Sequence, residues 1–189
     1  MPHSNANCLA LEASASISAP KLRRPTARDG AAIWKLVRTG GALDLNSAYA
    51  YLMMAEWFQD TCVVAEDRGA LVGFVMGFVP PRQPDTVLVW QIGVDAAQRG
   101  RGVGRQLLDA LADNAPGDVR YLEATITTSN RMSEALFCGF ARERRAPYVV
   151  SDLFPADLFP SGGHEAERLF RIGPLPRPNT TEELVHGNL

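Results

Sequence analysis

The chain has 189 residues, 46% of them hydrophobic, with nineteen basic against twenty-one acidic side chains and a formal charge of -2. That length suits one substantial core in one domain, and the near-neutral charge excludes a general attraction to the phosphate backbone of nucleic acid. No apolar run reaches the roughly 20 residues that cross a bilayer, so neither nucleic acid nor membrane is an expected partner.

Residues 1–21 are rich in Ala and Ser without sustained period, and Glu12 interrupts their short apolar stretch, so they read as a disordered extension and not as a signal peptide. Cys8, Cys62 and Cys138 are odd in number and widely spaced. That pattern fits neither a disulfide framework nor a zinc site, and it predicts a cytoplasmic protein with no metal. The folded part is expected over residues 22–173, with "PLPRPNTTEELVHGNL" (174–189) as a mobile tail.

Thr26 followed by Asp29 resembles a capping box, and Ile33, Trp34 and Val37 continue at helical spacing, which predicts a helix from about 28 to 37. After Gly40-Gly41, Asn46 or Ser47 can cap a second helix, "SAYAYLMMAEWF", with Tyr49, Leu52, Met53 and Glu56 on one side. "TCVVAED" and "ALVGFVMGFV" form a hairpin through Arg68-Gly69. Pro80, Pro81 and Pro84 then stop the chain before "TVLVWQIGV" (86–94), whose lack of polar alternation marks a central strand.

Val103, Leu107, Leu108 and Leu111 define the apolar face of a helix that ends near 114–117. "VRYLEATI" follows as a strand, "NRMSEALFCGF" as a helix, and "APYVV" and "ERLFRIG" as two final strands around the Pro- and Gly-containing segment 152–163. This order predicts an α/β (α+β) fold with a mixed sheet.

Between the central strand and its helix lies "QRGRGVGRQL" (98–107). A strand that enters a glycine-rich loop and then a helix presents unpaired backbone N–H groups backed by the positive end of the helix dipole, which is a pyrophosphate site. Arg99, Arg101 and Arg105 can add charge-assisted contacts. A Walker loop would need Gly-Lys-Ser/Thr, and the dinucleotide fingerprint would need glycine where Arg105 stands. R-x-x-G-x-G does fit, as Arg99, Gly102 and Gly104.

That pattern, after "VWQIGVD" and before "YLEATITTSNRMSEALFCGF", resembles the GCN5-related N-acetyltransferase (GNAT) family. The resemblance implies a mixed, mostly antiparallel twisted sheet whose two central strands splay apart, flanked by helices, with acetyl-CoA lying in the opening. Carried over by position, the backbones of Ile92 and Val94 would pair with the pantetheine arm, amides near Gly93 and Val94 would serve the oxyanion, and the amides of Arg99, Gly100, Arg101, Gly102, Val103 and Gly104 would hold the pyrophosphate. Asn130 would contact CoA at the start of the next helix. The chain departs from the family at Leu136-Phe137, where a tyrosine often protonates the departing thiolate. An ordinary thiol, with a pKa of roughly 8.5, leaves acceptably without one.

A narrower resemblance within the family is carried by "RPTARDGAAIWKLV", "LDLNSAYAYL", "RYLEAT" and "LFPSGGHEAERLFRIGPL". It implies a small diamino acid as acceptor, with an α-ammonium, an α-carboxylate and a γ-amine to be acetylated, and a homodimeric enzyme; the apolar second helix is a candidate for the contact, and core packing explains its apolar stripe equally well. The implied substrate residues are Asp44, Tyr49, Trp90, His164 and Glu167, with Arg82 or a backbone group on the carboxylate. Glu167 and Asp44 are the candidate proton acceptors, with Glu123 acting through water as a third. His164 and Glu167 in "HEAE" are spaced to share one side of a helical turn.

Residue by residue, plainer roles compete. Trp90 reads also as core, Asp44 as a cap, Tyr49 as an amphipathic helix residue, His164 and Glu167 as a solvated turn, and Glu123 as the partner of an arginine. Neither Cys62 nor Cys138 sits in a motif that activates a thiol, so direct attack is expected without a covalent intermediate. Acetylation of another small amine, or a non-catalytic acyl-CoA-binding module, remain the competing functions.

Overall fold

A computed structural model describes residues 19–41, 43–160 and 163–176. In chain order it contains β1 (Lys21–Arg23), α1 (Gly30–Gly40), α2 (Ala48–Trp57), β2 (Cys62–Asp67), β3 (Ala70–Phe78), β4 (Thr86–Val94), α3 (Val103–Asn114), β5 (Tyr121–Thr127), α4 (Arg131–Glu143), β6 (Tyr148–Phe154) and β7 (Glu167–Ile172). The expected disordered segment 1–21 falls mostly outside the described residues, but its last residue, Lys21, begins β1, which pairs with β2. At the other end Leu175 is buried and its N–H donates to the Arg120 carbonyl at 2.7 Å, so packed chain continues past Gly173.

The seven strands form one sheet in the order β1-β2-β3-β4-β5-β7-β6. Every neighbouring pair is antiparallel except β4 with β5, whose connection through α3 makes them parallel. That pairing runs only from Thr86↔Tyr121 to Val89↔Ala124, although β4 continues to Val94 and β5 to Thr127. The two central strands therefore part after Val89.

Helices cover both faces. On one, Val103, Leu107, Leu108 and Leu111 of α3 join Phe137 and Phe140 of α4 in a core against the sheet. The four α3 residues are those whose spacing marked an apolar face, and all are buried. On the other face Ile33, Leu36 and Val37 of α1 pack with Tyr51, Met54 and Ala55 of α2. For α1 the Thr26 N–H donates to the Asp29 carboxylate at 2.8 Å, but the first turn is a short 3-10 segment, and the helix starts at Gly30 and runs on to Gly40.

The residues expected to share a side of α2 do so, on its outward side. Ser47 caps it as anticipated, accepting from the Ala50 N–H at 3.3 Å, and Tyr51, Met54 and Ala55 face inward while Tyr49 and Leu52 face out. The helix is apolar on nearly every side, so periodicity alone could not choose the buried one.

Glu123 lies within β5 at 5% exposure, and its carboxylate accepts from Arg171 on the neighbouring β7, as the competing reading of that residue anticipated. Arg171 also lies over the Tyr121 ring, 3.9 Å from its centroid, and donates to Thr86 Oγ1 at 3.3 Å. Removing one partner strands a buried charge, so Arg171→Ala should destabilise the fold by about 3 kcal/mol in denaturant titrations, whereas replacing both partners by apolar residues should cost much less. Equal losses for the single and the double change would contradict this account of the pair.

Candidate functional site

The parting of β4 and β5 opens two cavities that meet. The first, of about 370 Å³, follows the end of β4 into the glycine-rich loop and the start of α3; the second, of about 270 Å³, lies in the gap between the strands. Leu43, Ile92, Asn130 and Ser133 line both, so one ligand reaching along the first would meet another seated in the second.

In the first cavity Ile92, Gly93 and Val94 present a backbone edge that β5 does not cover, and Arg99, Gly100, Gly102, Val103 and Gly104 form the loop end. Gly102 takes the left-handed conformation (φ 75°) as N-cap of α3, and no side chain caps this helix. Gly104 has a different reason to be glycine. Its φ is ordinary, and a Cβ there would meet the Leu136 methyls at 3.5–3.6 Å and a Val94 methyl at 3.7 Å, which is normal contact. The packing does not require glycine at 104, and glycine there leaves the first-turn N–H groups open to a ligand. At Gly93, by contrast, a Cβ would press on the Phe74 ring at 2.7 Å, so packing alone explains that glycine.

The arginines divide. Arg99 lines the cavity, whereas Arg101 donates to the Gln98 side chain and is outside the lining. Arg105 also borders the cavity, but its guanidinium is engaged with Asp109 at 2.9 Å and Glu143 at 2.7 Å. Asn130 caps α4 by accepting from the Ser133 N–H at 3.1 Å, which fixes it where the two cavities join. This set fits a CoA pyrophosphate and pantetheine arm: a bare helix N-terminus, a glycine the fold leaves optional and an open strand edge.

The second cavity collects Asp44, Trp90, His164 and Glu167 from three separate parts of the chain. His164 Nε2 lies 3.4 Å from Asp44 Oδ2 and 3.6 Å from Glu167 Oε1, while Nδ1 donates to the Glu165 carbonyl at 2.7 Å. Phe159 stacks on the imidazole with ring centroids 3.9 Å apart. The expected helical turn is absent: His164 lies in irregular chain and Glu167 begins β7, where it pairs with Thr127. Glu165 ties this segment down, accepting from Thr128 Oγ1 at 2.7 Å and the Ser129 N–H at 3.1 Å.

The Glu165 carbonyl, with the Asp44 and Glu167 carboxylates, raises the His164 pKa above its ordinary 6.5. A raised value in the folded state stabilises the fold fully below the unfolded pKa, and that contribution disappears as pH rises through the folded value. The melting temperature of His164→Gln should therefore trail the parent at mildly acid pH and converge with it in alkaline buffer. A gap that stayed constant across the range would refute the charged ring.

Other expected residues lie elsewhere. Tyr49, 65% exposed on the outward side of α2, is not in either lining. Glu123 is outside both as well, paired with Arg171 beneath the point where the strands part, and Arg82 is on the exposed turn before β4. Cys62 is buried, and burial pushes its thiol up to about 12, which makes it a poor nucleophile; Cys138 is outside both linings. Phe137 is buried in the core and borders the second cavity, offering no hydroxyl.

Gln91 was missed. It is a polar residue at 8% exposure in an apolar strand, and it lines the second cavity beside Trp90. Adjacent strand residues should face opposite ways, but β3 pairs Met76 with Gln91 and Gly77 with Val89, skipping Trp90. This β-bulge turns Trp90 and Gln91 to the same side, where Trp90 lies 5.8 Å from the Tyr51 ring.

Among the described residues no helix is long and apolar enough to cross a membrane, and no group of three or more His, Cys, Asp or Glu is placed to hold a metal. The model of the acetyltransferase (GNAT) family matches residues 32–140. An L-2,4-diaminobutyric acid acetyltransferase of Shouchella clausii is 51% identical over 155 residues, 82% of this chain and 86% of the relative. That of Streptomyces coelicolor is 45% identical, covering 82% of this chain and 93% of its own length. Among solved structures, the diaminobutyrate acetyltransferase of Paenibacillus lautus, in complex with L-2,4-diaminobutyric acid and coenzyme A, aligns with a TM-score of 0.80 at 42% identity, covering 84% of this chain and 96% of that one.

Proposed function

The chain belongs to the acetyltransferase (GNAT) family, and we propose on that basis that it moves the acetyl group of acetyl-CoA to the γ-amine of L-2,4-diaminobutyrate, giving the N4-acetyl product for ectoine synthesis. The observation that carries this reading is the second cavity. Two carboxylates with a histidine between them face a tryptophan, and the whole set opens onto the cavity that fits CoA. With His164 charged, Asp44 and Glu167 leave the cluster at a net -1. A diamino acid with both amines protonated and its carboxylate ionised carries the opposite net charge.

Acetyl-CoA, when bound, supplies the activated acetyl thioester. The first-turn N–H groups of α3 and the side chain of Arg99 hold its pyrophosphate, and the open edge of Ile92, Gly93 and Val94 orients the pantetheine arm toward the second cavity. Asp44 and His164 position the diamino acid, and Trp90 walls its aliphatic part or its ammonium. Glu167, only 19% exposed in its side chain, takes the proton that the γ-ammonium must lose before it can attack. Backbone amides near Gly93 and Val94 are fixed before reaction and serve the developing oxyanion. With Cys62 held as a thiol and Phe137 in the tyrosine's place, attack is direct: the C–N bond forms, the C–S bond breaks, and CoA leaves as a thiolate that takes the second proton shed by the acetylated nitrogen.

Thiol release from acetyl-CoA with a panel of amines, followed by mass spectrometry of the product, tests the assignment. The N4-acetylated diamino acid is the expected product. Turnover of a different amine alone would move the activity elsewhere in the family, and CoA binding without any turnover would leave a binding module.

We also place the enzyme in the cytoplasm as a homodimer. The free thiols of Cys62 and Cys138 suit a reducing compartment. Two apolar surfaces favour self-association: Tyr49, Leu52 and Trp57 on α2, and the edge strand β6, where Val149, Leu153 and Phe154 are exposed. A monomeric mass in sedimentation equilibrium would overturn the dimer.

A further inference from the structure

Asp44 is in the irregular chain between α1 and α2, where no secondary structure fixes it. Its side chain is 84% exposed, yet it must present a carboxylate to His164 and to a substrate in the second cavity. The rigidity has to come from somewhere else.

It comes from a directed chain of hydrogen bonds anchored in the sheet. The Asn46 N–H donates to Tyr51 Oη at 3.3 Å, and the Tyr51 hydroxyl donates to Gln91 Oε1 at 3.0 Å. Gln91 Nε2 in turn donates to the Asp44 carbonyl at 2.8 Å. Asn46 Nδ2 adds a donation to the same carbonyl at 3.3 Å. Every donor in the chain has an acceptor, and both anchors are buried: Tyr51 completely, Gln91 nearly so. A buried polar network is retained at a desolvation cost, and fully satisfied it fixes one geometry.

We propose that Gln91 and Tyr51 are positioning residues for the acetyl acceptor: they suspend the Asp44 segment from the bulged strand β4 and so hold the Asp44 carboxylate over His164. Neither needs to touch the reacting atoms. The bulge at Trp90 makes this possible, because it turns Gln91 toward α2 beside the tryptophan. The inference rests on the acceptor reading above for its kinetic consequence, but not for its structural one.

The test uses Gln91→Leu and Tyr51→Phe in the full chain, with Asp44→Asn as reference and Met54→Ala as a control that disturbs the same buried layer without touching the network. Titration of the His164 imidazole by NMR is the first readout. The groups that face this ring are the carboxylates of Asp44 and Glu167, the Glu165 carbonyl and the Phe159 ring. Releasing Asp44 should lower the His164 pKa in both tether variants by the same amount as Asp44→Asn does, with no further fall in the double variant, while Met54→Ala leaves it in place. The second readout is kinetic: KM for L-2,4-diaminobutyrate rises about tenfold, the equivalent of one positioned polar contact, and KM for acetyl-CoA does not move. An unchanged His164 titration in both tether variants overturns the proposal whatever the rates. If the parent enzyme does not acetylate diaminobutyrate at all, the functional reading falls, and the titration alone still decides the tether.

Discussion

Replacing Glu167 with glutamine is expected to lower kcat/KM for L-2,4-diaminobutyrate by about 10²–10⁴-fold, the usual contribution of a general base, while CoA affinity stays at the parental value. Glutamine keeps the size and hydrogen-bonding reach of the side chain but cannot accept a proton. Three features place the demand on Glu167. It opens β7 opposite Thr127, it lines the gap between the parted strands, and the His164 imidazole lies 3.6 Å away. Asp44, on the solvent side of the same histidine, is better suited to hold an ammonium than to hide a proton. The residual rate of the variant should climb with pH, since only amine already free in solution can then react. Isothermal titration with CoA and initial rates over a pH series measure both halves. A parental rate in Glu167→Gln together with a collapsed one in Asp44→Asn would exchange the two roles.

The second large effect is expected at Gly104, where stability and ligand binding should move in opposite directions. Alanine in the first turn of α3 gains helix propensity of up to about 1 kcal/mol over glycine, and its Cβ meets only ordinary contacts. Gly104→Ala should therefore melt no lower than the parent and yet bind CoA less tightly. Gly104→Val adds bulk over the first-turn amides and should weaken CoA by about 10²-fold, as the loss of two hydrogen bonds to a charged group would. Thermal melts and CoA titrations read the two quantities separately. Undiminished CoA affinity in the valine variant would remove the pyrophosphate from this helix end.

Much of this was legible in the sequence, for identifiable reasons. The apolar face of α3 could be read because polar residues separate its leucines, and the extent of β4 because prolines and a glycine-rich loop bracket it. The glycine-rich loop was legible as a candidate cofactor site because backbone chemistry imposes glycine there and leaves a local pattern. The acceptor side was harder. Asp44, Trp90, His164 and Glu167 are more than a hundred residues apart at the extremes, and only the order of strands brings them together. The inward face of α2 was not legible because apolar residues surround the helix, leaving Tyr49 to look as plausible as Tyr51. Gln91 left no signal of its own: one amide in a run of apolar residues looks like noise until the bulge at Trp90 turns it.

That bulge has a further consequence for how the two halves of the reaction stay in phase. Along a regular strand every second residue faces the same way, so Val87 and Val89 on the α3 and α4 side would be followed there by Gln91 and Gly93. With one extra residue at Trp90, it is Ile92 and Val94 that pack on that side instead. Straightening the bulge with Trp90 still in the strand would turn the remainder of the strand over by half a turn. Gln91 would leave Tyr51, and Ile92 and Val94 would swing out of the core beneath the pantetheine edge. Donor and acceptor are thus tuned by one phase shift in one strand, and neither site can be re-cut there independently of the other.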